Sequence, residues 1–353
     1  MKIKLAILGA EQNSLGRIVS SFNAKYPDKF EIYSFTVLET ALEIIESKRI
    51  DVFLAEDSFP VDASKLPKKC GFAWLCDTPS IESYKDYPAI CRFQKIDLIY
   101  RQILSIYSEQ ASEVTGRFSD DHSSVLLFAS PCGGVGTSSM AAACAKHYAM
   151  TGKKVIYLNI EECGFSDLFF QAEGQFGMSD IIYAIKGKKS NIALKMESCV
   201  RQDASGVQYF AKSAEALDMT ELTTEDIHNL ISELRVAGAF DYIIVDAKFS
   251  LSRDFTEILK DAQAWVMVSD GSEVANEKIK RACSAFSIME KSGNQEILMK
   301  AGLIYNKFSN KASSSIDGLN IRMIGGSNRF ENATTTQVVD HLAGNAMFDT
   351  ILE

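Results

Sequence analysis

The stretch Ser130–Ser139, S-P-C-G-G-V-G-T-S-S, constrains this chain more than any other. An apolar β-type run, Val125-Leu126-Leu127-Phe128-Ala129, leads into it, and small helix-forming residues from Met140 to Met150 lead out. Strand, glycine-rich turn and helix, in that order, can wrap backbone N–H groups around phosphate oxygens. Gly133, Gly134 and Gly136 let the main chain approach a phosphate in conformations that side chains forbid. The helix beyond aims the positive end of its dipole at the anion. Ser138 stands where a phosphate loop offers a hydroxyl to Mg²⁺. The strict G-x-x-x-x-G-K-[ST] pattern fails twice, because Pro131 replaces the first glycine and Thr137 stands at the lysine. The context survives both changes, so a nucleotide loop is predicted over Cys132, Gly133, Gly134, Val135, Gly136, Thr137, Ser138 and Ser139. A glycine-rich βα turn that binds nothing is the alternative.

With 353 residues, 46% of them hydrophobic and 24% charged, the chain has material for about two globular domains. A net charge of −9 argues against a generally nucleic-acid-binding surface. The apolar run after Met1 is too short for a signal peptide, and no stretch approaches the ~20 apolar residues of a membrane span. Eight cysteines include no C-x-x-C pair, and the four histidines do not cluster with them. That usage fits buried thiols of a reducing compartment, with the cytoplasm as the default.

Residues 1–108 alternate strand-like and helix-like runs. Leu5–Leu8, Phe30–Phe35, Asp51–Ala55, Phe72–Cys76 and Ile90–Phe93 read as strands; Ser14–Phe22, Leu38–Ser47 and Asp97–Ser108 read as helices. Alternating βα units imply a parallel sheet covered on both faces. Their order resembles a response-regulator receiver domain, although any flavodoxin-like domain shares the pattern. Receivers carry a phosphate-accepting aspartate at the end of the third strand, and here that position is Glu56. Their metal-holding acidic pair is reduced to Glu11, and Lys95 is the match for their conserved lysine. The resemblance therefore implies a pseudo-receiver that keeps the fold without phosphorylation. Residues 109–122 are polar and read as a linker.

Residues 123–353 repeat the βα scheme on a larger scale. Lys154–Glu161, Asp241–Asp246, Trp265–Val268 and Gly302–Lys307 read as strands, with Asn320–Ile324 as one more. Asp246, ending a buried strand, sits where phosphate-loop proteins hold Mg²⁺. Asn306, beside Lys307, offers an amide that can pair with an adenine edge. G-G-V-G at Gly133–Gly136, the strand ending at Asn159, F-D-Y-I-I-V-D at Phe240–Asp246 and L-I-Y-N-K at Leu303–Lys307 together resemble the ParA/MinD group of deviant phosphate-loop ATPases. A receiver-like domain ahead of such a domain resembles the CpaE/TadZ proteins of Tad-type pilus assembly.

The resemblance implies two doubly wound α/β domains, the second a ParA/MinD-like phosphate-loop NTPase. It implies ATP and Mg²⁺ as ligands, with Ser138 and Asp246 on the metal. It also implies a homodimer that meets pilus or secretion machinery at a cell pole. The departures weaken turnover. The group's signature lysine falls at Cys132, the loop lysine at Thr137, and the acidic pair of the second strand reads Asn159 and Glu161. ATP binding with weak or absent hydrolysis follows, and Lys248 is a candidate replacement charge. Phe165, Leu168, Phe169 and Phe170 fit a dimer surface or a core helix equally. The tail, Gln337–Leu352, lacks the basic face of a membrane-binding helix, and Lys186-Gly187-Lys188-Lys189 is a short basic turn. A cycling ParA/MinD-like positioning ATPase and a response-regulator-like signalling adaptor are the alternative functions.

Overall fold

The computed structural model describes residues 2–79, 81–110, 123–187, 191–237, 239–293, 296–319 and 321–353. Most of the predicted linker (111–122) and the basic-turn residues Lys188 and Lys189 lie outside them. The chain forms two compact units. The first comprises Met1–Gly116, Gly174–Phe176 and Tyr183–Cys199, and the second comprises Arg117–Glu173, Gly177–Ile182 and Val200–Glu353.

In the first unit the strands are β1 (Ile3–Leu8), β2 (Phe30–Phe35), β3 (Val52–Glu56), β4 (Gly71–Cys76), β5 (Ser83–Tyr84) and β6 (Tyr87–Cys91). The helices are α1 (Gln12–Lys25), α2 (Leu38–Lys48) and α3 (Ile96–Gln110). The sheet order is β2-β1-β3-β4-β6-β5, parallel except for the β5–β6 hairpin. Without β5 this is the flavodoxin-like order. Alternation along the strands divides the core between two faces. Leu5, Ile7, Val52 and Leu54 join Leu15, Phe22 and Ile103 on one side, while Ala6, Phe53 and Trp74 join Ala41 and Ile45 on the other. The last strand ends at Cys91, earlier than its apolar letters suggest, so Arg92 leaves the sheet at its carboxyl edge.

The second unit's strands are β7 (Ser124–Phe128), β8 (Val155–Asn159), β9 (Val200–Gln202), β10 (Gln208–Phe210), β11 (Tyr242–Asp246), β12 (Ala264–Ser269), β13 (Ala301–Phe308) and β14 (Arg322–Asn328). Helices after α3 are α4 (Thr137–Met150), α5 (Met178–Gly187), α6 (Ile192–Cys199), α7 (Thr224–Val236), α8 (Arg253–Asp261), α9 (Glu273–Gly293) and α10 (Thr335–Ala343). The sheet runs β14-β13-β12-β7-β11-β8-β10-β9, with only the β9–β10 pair antiparallel. The central strands are buried along most of their length, as a parallel sheet covered on both faces requires. β7 lies between β12 and β11, so the loop leaving it opens beside the carboxyl ends of both, where open α/β sheets bind ligands.

Helix α6 belongs to the first unit, although it lies in sequence between strands of the second. It packs on α3. Lys195 is buried there with Nζ 2.7 Å from Ser105 Oγ, and Tyr100 Oη donates to Glu197 at 2.7 Å. Glu197 also meets Lys29 at 2.8 Å, and Asn191 N donates to the Ser108 carbonyl. Among Phe165, Leu168, Phe169 and Phe170, the last two are buried and the first two exposed.

Candidate nucleotide-binding site

The loop is held from both sides before any ligand enters. Ser130 Oγ donates to the Val268 carbonyl at 2.5 Å, and the Trp265 indole donates to the Ala129 carbonyl at 2.9 Å. Gly134 and Gly136 are left-handed, at φ 73° and 90°, which bends the chain back into the first turn of α4. Gly136 is that helix's N-cap. No side chain caps it, and no acid stands in the first turn. The outer face of Gly133 and Gly134 is open, so an anion can reach the main chain there.

Asn306 fixes the far side of the loop. Buried at the end of β13, it donates from Nδ2 to the Val135 carbonyl at 2.8 Å and accepts at Oδ1 from Lys307 N at 3.0 Å. A Cβ on Gly136 would lie 2.5 Å from Asn306 Nδ2, so the loop glycine is what lets this amide in. The sequence reading placed Asn306 on an adenine edge; in this structure both ends of its amide are bonded to the chain itself. Lys307 Nζ donates to the Gly134 carbonyl at 2.8 Å.

Opposite the loop, Asp246 ends β11 with no exposed surface. Its Oδ2 accepts from Tyr157 Oη at 2.6 Å and from Asn159 Nδ2 at 3.1 Å. Oδ1 has no hydrogen-bond partner. Burial pushes the Asp246 carboxyl up to about 7, with the charge of Glu161 adding to the effect; Tyr157 and Ser138 act against it. Ser138 thus lies near the carboxylate without an aligned hydrogen bond to Oδ1. Asn159 also accepts from Glu161 N at 2.9 Å, so it bridges Asp246 and the start of the next loop. An aspartate at this position would set a second charge against Asp246, whereas the neutral amide donates to it. Glu161 is half-buried, and burial raises its carboxyl while Lys248 lowers it.

Lys248 does not reach the loop. It is exposed, with Nζ 3.3 Å from Glu162. Cys132, at the signature-lysine position, is buried with Sγ 3.4 Å from the Ala275 carbonyl. Tyr157 escaped the sequence reading because it looks like one more apolar residue of a buried strand. The available signal was its spacing: two residues before Asn159, it shares that residue's face. Among the described residues no three His, Cys, Asp or Glu side chains group as a metal site. A magnesium ion here would have Ser138 and Asp246 as protein ligands and would complete its shell with phosphate and water, as the ion commonly does. The orphan Oδ1 and the open glycines fit that ligand.

The receiver pocket is closed by its own residues. Glu56 is buried at the end of β3, accepting from Ala10 N at 2.9 Å and from Arg92 Nη1 at 2.5 Å. Arg92 Nη2 also donates to Asp77 at 3.1 Å. A Cβ on Gly9 would approach Glu56 Oε1 to 2.7 Å, so a glycine makes room for the longer acid. Arg92, directly after β6, takes the place expected for Lys95, which instead leads into α3 with its carbonyl accepting from Leu98 N and Ile99 N. The reason is the earlier end of the strand.

The family model "TadZ-like, receiver domain" matches residues 1–108. Residues 1–108 are a TadZ-like receiver domain. No curated protein sequence matches the chain. Among solved structures, the chain is similar to a ParA family ATPase from Chlorobium tepidum at 18% identity and TM-score 0.49, covering 66% of this chain and 97% of that one. It is similar to a chain of the MinC:MinD cell division protein complex from Aquifex aeolicus at 18% identity and TM-score 0.48, covering 65% and 94%. MinD from Pyrococcus horikoshii, solved with Mg-ADP, is 12% identical at TM-score 0.48, covering 63% and 94%. The TadZ-like receiver domain thus stands ahead of a second α/β domain built on a mostly parallel sheet. No described helix is long and apolar enough to cross a membrane.

Proposed function

We propose that the second domain binds ATP with Mg²⁺, hydrolyses it slowly or not at all, and acts as the nucleotide-held part of a dimeric localisation and assembly factor for a Tad-type pilus. Asp246 carries the nucleotide reading. A fully buried carboxylate with one unpartnered oxygen is costly in an empty fold and is satisfied by a cation at the loop. Slow turnover rests on three side chains. Cys132 is turned inward onto a carbonyl, Thr137 replaces the loop lysine, and Asn159 offers an amide where a water-orienting acid would stand. Positive charge at the γ-phosphate is a large part of phosphoryl-transfer catalysis, so its loss falls on rate more than on affinity. The TadZ-like receiver domain supports the pilus assignment; a cytoplasmic location with concentration at a cell pole is part of the same proposal.

The test is isothermal titration of ATP·Mg²⁺ into the full chain, with Asp246→Ala as control and a phosphate-release assay in parallel. Binding that the control loses, with negligible release, is the expected result. Steady release would favour a cycling ATPase, and no binding in the wild type would overturn the nucleotide reading. Light scattering with and without ATP tests the dimer.

A further inference from the structure

This inference rests on the nucleotide reading and concerns where that site keeps its positive charge. Both lysines of the resembling ATPases are absent from the loop, at Cys132 and Thr137, and Lys248 is engaged by Glu162. Lys307 comes to the loop from another strand. Its backbone is left-handed at φ 57°, a conformation that non-glycine residues seldom hold. Pairing of β13 with β14 is irregular between Tyr305 and Phe308, where the backbone makes this turn. Buried Asn306 anchors the turn through Lys307 N and, at its other end, through the Val135 carbonyl. So turned, the side chain crosses to the loop. Nζ bonds the Gly134 carbonyl, and Cε lies 3.8 Å from where a Cβ on Gly136 would be. The contact with the Gly134 carbonyl, held by the Asn306 anchor, is what sets Lys307 apart from the other left-handed basic residues, Arg49 and Lys85.

We propose that Lys307 is the phosphate-contacting cation of this site, supplied from the end of β13 in place of the lysine missing at Thr137. Its ammonium rests on the Gly134 carbonyl and turns to the outer phosphates of a nucleoside triphosphate. Lys307 is exposed and an ammonium has three donors, so one can stay on the loop while another meets the anion. The orphan oxygen of Asp246 supplies an independent sign of a ligand at the same loop.

The experiment titrates ATP, ADP and AMP, each with Mg²⁺, into wild type, Lys307→Met, Lys307→Arg and Lys248→Met, and records unfolding of each protein without nucleotide. A hydrogen bond to a charged group predicts that Lys307→Met weakens ATP about tenfold or more. The same variant should lose less for ADP and nothing for AMP, with its unfolding unmoved. Lys307→Arg should keep most of the affinity, and Lys248→Met should match wild type. If wild type binds ATP and Lys307→Met binds it equally, the inference is overturned and the nucleotide reading stands. Equal losses for all three nucleotides with lowered stability would make Lys307 a brace for the loop, which also overturns it. So would a loss confined to Lys248→Met. No binding by wild type would overturn the inference together with the reading beneath it.

Discussion

Asp246→Asn should stabilise the empty protein, and more so at higher pH. The new amide is the same size. Its oxygen can keep the Tyr157 and Asn159 donors, and its nitrogen can face the side where Oδ1 has no partner. The folded carboxyl holds its proton up to about 7, while an unfolded aspartate releases it near 3.8. The folded state therefore binds the extra proton, and the wild type loses stability as pH rises through that window. At about 1.4 kcal/mol for each pH unit the loss reaches about 4 kcal/mol by pH 8, an upper bound because buried sites relax. The asparagine variant escapes it, gaining about 3 kcal/mol at pH 6 and about 4 kcal/mol at pH 8. Urea unfolding followed by tryptophan fluorescence reads the effect. The chain has two tryptophans, one buried in each unit, so a Trp74→Phe background leaves Trp265 to report on the second unit alone. A variant less stable than its parent at pH 8, or a gain identical at pH 6 and pH 8, would refute the reasoning. ATP·Mg²⁺ binding should be lost in the same variant.

Arg92→Ala should destabilise the first unit by about 3–5 kcal/mol in thermal or urea unfolding, since it leaves the Glu56 carboxylate buried with the Ala10 amide as its remaining donor. Adding Glu56→Gln should recover most of that loss, because the uncharged side chain can still accept from Ala10. Acetyl phosphate should leave the intact mass of the full chain unchanged, as Glu56 has Ala10 on one oxygen and Arg92 on the other; a gain of one phosphoryl group that Glu56→Gln abolishes would contradict this. Gly136→Ala should cost about 1–3 kcal/mol and abolish ATP binding in the titration, through both the left-handed backbone and the clash with Asn306.

The fold was legible because parallel strands buried on both faces read as short uninterrupted apolar runs, and Leu5–Leu8, Val125–Ala129 and Tyr242–Val245 are too short for helices. Short or amphipathic pieces were not. The hairpin of β9 and β10 has three residues a side, and α5 and α6 have only ten and eight residues, so all four passed unread even though Asn191 caps α6. At the candidate site, residue type singled out Asp246 and Ser138 as the expected Mg²⁺ ligands, because few side chains serve that ion. Roles set by backbone geometry stayed hidden. Nothing in the letters says that Lys307 is left-handed, that Arg92 falls past the strand end, or that Asn306 turns inward to the loop.

The placement of α6 has a consequence for how this protein is made. A chain leaving the ribosome delivers the whole receiver sheet first, yet the groups that meet Tyr100, Ser105, Ser108 and Lys29 follow only with residues 191–197. From the end of the first segment at Gly116 to Cys199 is roughly eighty residues, which at about 5–20 residues per second is some 4–16 seconds of translation. For that interval the outer side of α3 stays uncovered. The first unit is thus finished only after β7 and the glycine-rich loop that follows it have been synthesised, and a fragment cut at Gly116 is a receiver permanently halted at that stage.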